Sequence, residues 1–380
     1  MSEIRKLAPS IVVGVMGNTG IYLIPLLLGA MVSERGFTDQ QAGLVASADL
    51  AGYAVMTFIT AVFLIDRDWK RLAIAGVTIM FLANLASTSA SSAGTFAAFR
   101  FMSGVGAGIL AAVATVSLGR TEKPDRSYGL LFAACLLFGT VGLWGLPLML
   151  ERTGLNGAYV VIAGLAVVTG VVSRGLAQAP PRAAGADTKS SRQGGSLAAV
   201  LILLAIAMFW AHQNALYAYI ERIGNASGLS AQFIGFTLGF ANLAGFVGAS
   251  LVAWLGTRFG RLLPLLVLTT VQVGCVWMLS GHVNSSTYLL AMGVIALSWN
   301  IINPIQIGIL AGVDQQGRWL ALSSTVIGAG LALGPALGAA ALRGEGYASV
   351  LWLVAGLAVA STLLALPVLP RSARRAPVTP

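Results

Sequence analysis

The sequence predicts an all-α polytopic membrane protein with twelve transmembrane helices in two six-helix repeats. Three observations predict it. Hydrophobic residues make up 57% of the 380 residues and charged residues only 9%, whereas soluble domains carry roughly a quarter charged. The apolar runs are about twenty residues long, enough to cross a hydrocarbon core of roughly 30 Å as helix. A membrane β-barrel would show short alternating segments instead. Finally, several features of the first half return about 190 residues later, as in transporters built from two parallel repeats.

The first span, 8–32, follows Arg5 and Lys6 like a signal peptide, but it is too long and lacks a small-residue cleavage site, so it is expected to stay. Charged or turn-rich breaks then delimit spans at 42–65, 72–92, 95–119, 127–150 and 155–174. After residues 176–196, rich in Pro, Ala, Gly, Ser and Arg, come 197–220, 230–256, 262–281, 286–311, 318–342 and 347–369. The composition of 176–196 is that of a flexible linker. The expected organisation is a six-helix bundle over 1–175, a cytoplasmic linker over 176–196 and a second bundle over 197–380.

Of the 23 lysines and arginines, 18 fall in one set of alternate loops and four in the other, with Arg100 left over inside a span. By the positive-inside rule both termini and the linker are cytoplasmic, as expected of an integral plasma (inner) membrane protein. The net charge of +10 therefore reports topology and gives no reason to expect a nucleic-acid partner. Cys135 and Cys275 lie mid-span and read as small core residues, with neither a disulfide framework nor a metal site indicated.

The repeats are visible locally. Asp66-Arg67-Asp68-Trp69-Lys70-Arg71, between spans two and three, is echoed by Thr257-Arg258-Phe259-Gly260-Arg261 between spans eight and nine. Asn18 and Tyr22 of span one are echoed by Gln213 and Tyr217 of span seven, and Arg126 by Arg318. The first loop resembles the G-x-x-x-D-[RK]-x-G-[RK]-[RK] motif of the major facilitator superfamily, with Val62 and Trp69 at its glycine positions. Arg100-Phe-Met-Ser-Gly104-Val-Gly106 in span four resembles that family's R-x-x-x-G-x-G pattern. Gly139, Gly142, Gly145 and Pro147 loosely resemble its exporter motif, and Gly330-x-x-x-Gly334-Pro335-x-x-Gly338 is the better copy. The resemblance covers the whole chain. It implies alternating access, a substrate site between the halves, and a part for Arg100 in proton coupling.

Asp49 is the one carboxylate well inside a span. At 100° per residue it shares a face with Gly52, Tyr53, Met56 and Thr60. Intramembrane ionisable groups are functional by default, so Asp49 is a candidate proton carrier, against a structural carboxylate. Relatives often place this acid in span one, where this chain has Asn18. Asp49 and Arg100 lie at similar depth and can pair; a static salt bridge is the alternative. His212 is a further proton candidate because histidine titrates near neutral pH.

The candidate substrate cavity comprises Asn18, Tyr22, Tyr53, Trp210, Gln213, Asn214, Tyr217, Trp299, Asn300 and Asn303. Amides and indoles converging there suit a solute with polar and ring or apolar parts. Pro304 can kink its helix. Asp66, Arg67, Lys70, Arg71, Arg258 and Arg261 are expected to form a cytoplasmic latch. Glu221-Arg222 reads as a solvated pair or an outer-gate contact. The Gly104-x-Gly106-x-Gly108 run suits helix packing, not a phosphate loop, since no Lys-Ser or Lys-Thr follows.

The expected function is secondary active transport of a small organic solute, with protons and the bilayer as further partners, no cofactor, no enzymatic activity and a monomeric state. Uptake of an organic acid, with Arg100 as anion partner, competes with proton-antiport export of aromatic or amphipathic compounds. A non-transporting receptor or lipid-handling protein is the third class, disfavoured by the repeat and the charged loops. No nucleotide-binding motif or protease-like arrangement appears, and His212 and His282 leave little material for catalysis.

Overall fold

A computed structural model describes all residues except 1, 65–66, 177–196, 256–257, 259, 282, 315–317, 344–345 and 370–380, and the described residues are mostly helical, with no strand among them. Eleven helices among them are long and apolar enough to cross a membrane. They are α1 (Ser2–Arg35), α2 (Asp39–Ile59), α3 (Trp69–Thr88), α4 (Ala93–Gly119), α5 (Pro124–Ser173) and α6 (Leu197–Ala226), followed by α7 (Ala231–Leu255), α8 (Leu262–Ser280), α9 (Ser285–Val313), α10 (Arg318–Ala341) and α11 (Ala348–Ala365). The count falls one short of twelve because α5 is two helices run together. Its 50 residues would reach about 75 Å at ~1.5 Å per residue, more than twice the hydrocarbon core. Gly154 breaks it with φ 64° and ψ −175°, a conformation open to glycine and strained for other residues. The Glu-Arg-Thr-Gly break in the sequence is thus a reversal made at one residue, with two crossings on either side.

Local signals set the helix starts. Thr38 and Gln41 form a reciprocal capping box at α2, as Asn284 and Thr287 do at α9. Ser92 caps α4, and the Asp68 carboxylate caps α3 by accepting from the Lys70 and Arg71 amides. A π-helical turn, Thr60–Leu64, extends α2.

Helices α1 to α5 pack mostly on one another, and α6 to α11 likewise; the halves meet through α2 on α10, α5 on α7 and α1 on α6. Lipid tails are as apolar as leucine, so close backbone approach through small residues does much of the packing. A Cβ on Gly104 would sit 2.9 Å from the Tyr53 amide nitrogen, and one on Gly108 2.8 Å from that of Thr57, so α2 and α4 touch backbone to backbone. Gly330 and Gly334 do the same for α10 on α6. Large apolar side chains such as Trp277, Trp352 and Leu363 stay exposed, as lipid-facing residues should.

The apolar core is continuous across the halves only toward one face. Ala215 to Ile223 of α6 and Tyr288 of α9 join the core of the N-terminal half, whereas Ile202, Phe209, Ile302 and Ile309 form a separate core within the C-terminal half. We call the side with the N-terminus and the start of α3 the basic face, and the other the far face. The halves are sealed on the far face and keep separate cores toward the basic one.

Candidate functional site

Midway along the spans, between the halves, lies a cavity of about 300 Å³. Asn18 and Tyr22 reach it from α1, Tyr53 from α2, Trp210, Gln213 and Tyr217 from α6, and Trp299, Asn300 and Asn303 from α9. Trp210, Gln213 and Tyr217 of α6 border it, whereas Asn214, one turn from Trp210, does not. Asn214 is buried, its amide donates to the Trp210 carbonyl at 2.9 Å, and its Cβ packs on Gly334. Of the ten cavity residues expected from the sequence, Asn214 is the one that does not line it.

The repeated pairs face each other. The Tyr217 hydroxyl donates to the Tyr22 carbonyl at 2.8 Å, and that of Tyr53 donates to Asn18 Oδ1 at 3.2 Å. Trp210 and Trp299 meet edge to face, centroids 5.5 Å apart. Pro304 lies inside α9 and, lacking an N–H, leaves the Asn300 carbonyl without its helical donor at cavity level. Phe132, Leu136 and Asn242 also line the cavity. Asn242 was legible as an amide in the middle of α7, but the other polar residues of that helix, Gln232, Thr237 and Ser250, do not share one face with it.

Behind Tyr53, within the N-terminal half, Arg100 Nη1 lies 3.8 Å from Asp49 Oδ2. Arg100 is buried and has other supports: Nε donates to Ser87 Oγ at 3.1 Å, Nη2 donates to Asn84 Oδ1 at 3.1 Å, and the guanidinium lies 4.3 Å from the Tyr159 ring centroid. A narrow void touches Asp49, Arg100, Asn84 and Tyr53, and Tyr53 also belongs to the main cavity. Arg100 does not line the cavity, which removes the ground for treating it as the partner of an anionic solute.

His212 joins neither group. It is buried on the opposite side of α6, Nδ1 3.1 Å from the Met208 carbonyl and its ring edge-on to Phe209. Gln213 borders both the main cavity and the small void beside His212.

The expected latch is only partly described. Asp66, its acid, lies outside the described residues. Arg67 and Arg71 are exposed, and Arg71 pairs within its own turn, Nε 3.6 Å from Asp68 Oδ2. Arg261 lies against Gly308 of α9. Among the described residues, a cross-half ion pair lies on the far face. Arg222 Nε donates to Asp39 Oδ1 at 2.8 Å, the Tyr347 hydroxyl to Asp39 Oδ2 at 2.8 Å, and the Tyr219 hydroxyl to the Asp39 carbonyl at 3.1 Å. Glu221, next to Arg222, is buried with its carboxylate pressed on Gly29 of α1.

Eleven apolar helices surround a cavity midway along their length, and a polar clasp joins the halves at one face. The chain belongs to the Major Facilitator Superfamily, whose family model matches residues 10–313, and it is a secondary transporter, not an enzyme. Among solved structures it is similar to the nucleoside transporter NupG (TM-score 0.74, 11% identity, 97% of this chain and 99% of that one). It is also similar to a D-xylose-proton symporter (0.77, 10%, 98% and 99%) and to tetrameric PepTSo2 (0.77, 15%, 99% and 100%). At these identities the likeness is one of fold. No curated protein matches.

Proposed function

We propose that this transporter couples movement of a small organic solute to protons, with Asp49 as the proton-carrying group and the cavity between α1, α2, α6 and α9 as the solute site. One observation carries the reading. Arg100 is held by Asn84, Ser87 and Tyr159 independently of Asp49, so protonating Asp49 leaves the guanidinium hydrogen-bonded and beside an aromatic ring. Removing one partner of a buried pair normally costs several kcal/mol, and these neutral contacts lower that cost. Asp49 can change charge with its partner held in place, and it sits one helical turn from Tyr53, which touches the solute site.

The excess of Lys and Arg on the basic face supports a cytoplasmic location for it. With the far face sealed, the structure then corresponds to the inward-facing side of the cycle. The test is purified protein in vesicles with an imposed pH gradient. Solute accumulation should follow the gradient, and Asp49→Asn should abolish accumulation while sparing solute exchange. Accumulation that survives in Asp49→Asn would make Asp49 structural.

A further inference from the structure

The cavity's chemistry narrows the solute. Among the described residues lining it there is no Asp, Glu, Lys, Arg or His. Asp49 and Arg100 lie behind Tyr53 and are turned toward each other. An ionised solute would lose its water here without gaining a counter-charge, and the low-dielectric surroundings make that exclusion strong.

The wall is not simply greasy. Trp210 Nε1, Gln213 Nε2 and Asn242 Nδ2 are buried donors without a partner, and Asn303 Oδ1 is a buried acceptor without one. All four residues border the cavity. Buried polar atoms left unpaired are rare and costly, and they concentrate where water or a ligand completes the set. Small side-chain rotations would turn them to a guest, three donors to its acceptors and one acceptor to its donor. Asn18 and Asn300 also border it, but their amides are engaged within the protein, and the rest of the wall is aromatic and aliphatic, with the Trp210–Trp299 pair and Tyr22 among its rings. A polyol would bury hydroxyls against leucine and isoleucine; a flat ring would stack. At about 300 Å³ the space is at the small end of ligand pockets.

We propose that the solute is a small uncharged compound with a planar ring bearing several hydrogen-bond acceptors and a donor, of the type of a heteroaromatic amide or a nucleobase. This rests on the reading of the cavity as the solute site. It sets aside the organic acids that the sequence left open.

The probes are matched pairs: nicotinamide against nicotinate, uracil against orotate, and nicotinamide against cationic 1-methylnicotinamide. Binding to the full-length protein in nanodiscs at pH 7 is measured by calorimetry. In at least one pair the neutral member should bind at least tenfold tighter, and Gln213→Leu and Asn242→Leu should each weaken it about fivefold while eluting as the parent does on gel filtration. Charged members binding as tightly as neutral ones, or no neutral member binding, overturns the proposal, and neither result depends on a variant folding. Vesicle uptake separates this from the reading beneath it. Uptake of a charged solute overturns the solute class and leaves transport standing, whereas tight neutral binding without movement supports the class and overturns transport through this cavity.

Discussion

Replacing Arg222 by alanine should loosen the far face. Arg222 donates to Asp39 across the halves at 2.8 Å, with side chains 18% and 29% exposed. A hydrogen bond between charged groups is worth about 1.5–3 kcal/mol net, and partial exposure brings that toward about 1–2 kcal/mol. The Tyr347 and Tyr219 bonds to Asp39 survive the change, so the face should loosen without falling open. A change of that size shifts a two-state equilibrium roughly 5–30-fold. Nitroxide labels at Arg152→Cys and Ser227→Cys, both exposed at the far-face ends of their helices, would report it by double electron–electron resonance, with Cys135 and Cys275 replaced by alanine. The long-distance population should grow by that factor. Asp39→Asn should give a similar shift, the double variant little more than either, and Arg222→Lys a partial rescue, since lysine restores the charge but not the guanidinium fork. An unchanged distance distribution in Arg222→Ala would refute the clasp as a determinant of far-face closure.

Three other outcomes follow. Gly104→Ala would drive a Cβ into the Asp49 carbonyl and to 2.9 Å from the Tyr53 nitrogen; overpacking of this kind costs about 1–3 kcal/mol, and thermal unfolding in detergent should show a Tm lower by several degrees. Asn84→Leu removes the acceptor for Arg100 Nη2 and should reduce proton-driven accumulation in vesicles at least tenfold while changing solute affinity by less than threefold. Tyr347 lies between α10 and α11, and burial first, then its hydrogen bond to Asp39, push its pKa up to about 12. A raised folded-state value means the contribution is complete below the ordinary tyrosine pKa of about 10 and is lost only as pH rises through about 12. Tyr347→Phe should therefore open the far face by a modest factor that the same spin labels find constant from pH 6 to 9.

The fold was legible because membrane helices announce themselves twice, by apolar length and by the basic residues that flank them. What the sequence left out was local. The break between spans 127–150 and 155–174 was legible, but that it turns on the positive φ of Gly154 was not, since helical periodicity carries no trace of one residue's dihedral. Much of the cavity was legible too, because Asn18, Tyr22, Gln213 and Tyr217 repeat at equivalent depths, and repeat symmetry aims equivalent residues at the shared axis. Asn214 was misplaced because it follows Trp210 by one turn, at the edge of the same face, and only the approach of α10 at Gly334 shows that this edge is covered. The clasp was harder still. Glu221-Arg222 reads as a solvated pair or an outer-gate contact, and nothing in the sequence names the acid, Asp39, that Arg222 finds 183 residues away.

The two halves share a framework and have divided the chemistry. In the N-terminal half the buried ionisable residues, Asp49 and Arg100, lie behind the cavity wall; in the C-terminal half, α6, α7 and α9 carry amides and indoles at it. A charge in the cavity itself would bind an ionised solute tightly but would also have to be desolvated afresh in each turnover. On the proposed coupling, keeping the charge change one layer back, with Tyr53 touching both the Asp49 void and the solute site, would allow the two events to influence each other without sharing a counter-ion. Solute binding that rearranges the Tyr53–Asn18 bond would be felt at Asp49 as altered packing and hydration. Coupling by that route requires Tyr53 as a lever and not as a ligand. Tyr53→Phe should then leave solute affinity within about threefold, since only one peripheral hydrogen bond is lost, while lowering the ratio of proton-driven accumulation to exchange. Equal loss of both would place Tyr53 in solute binding alone.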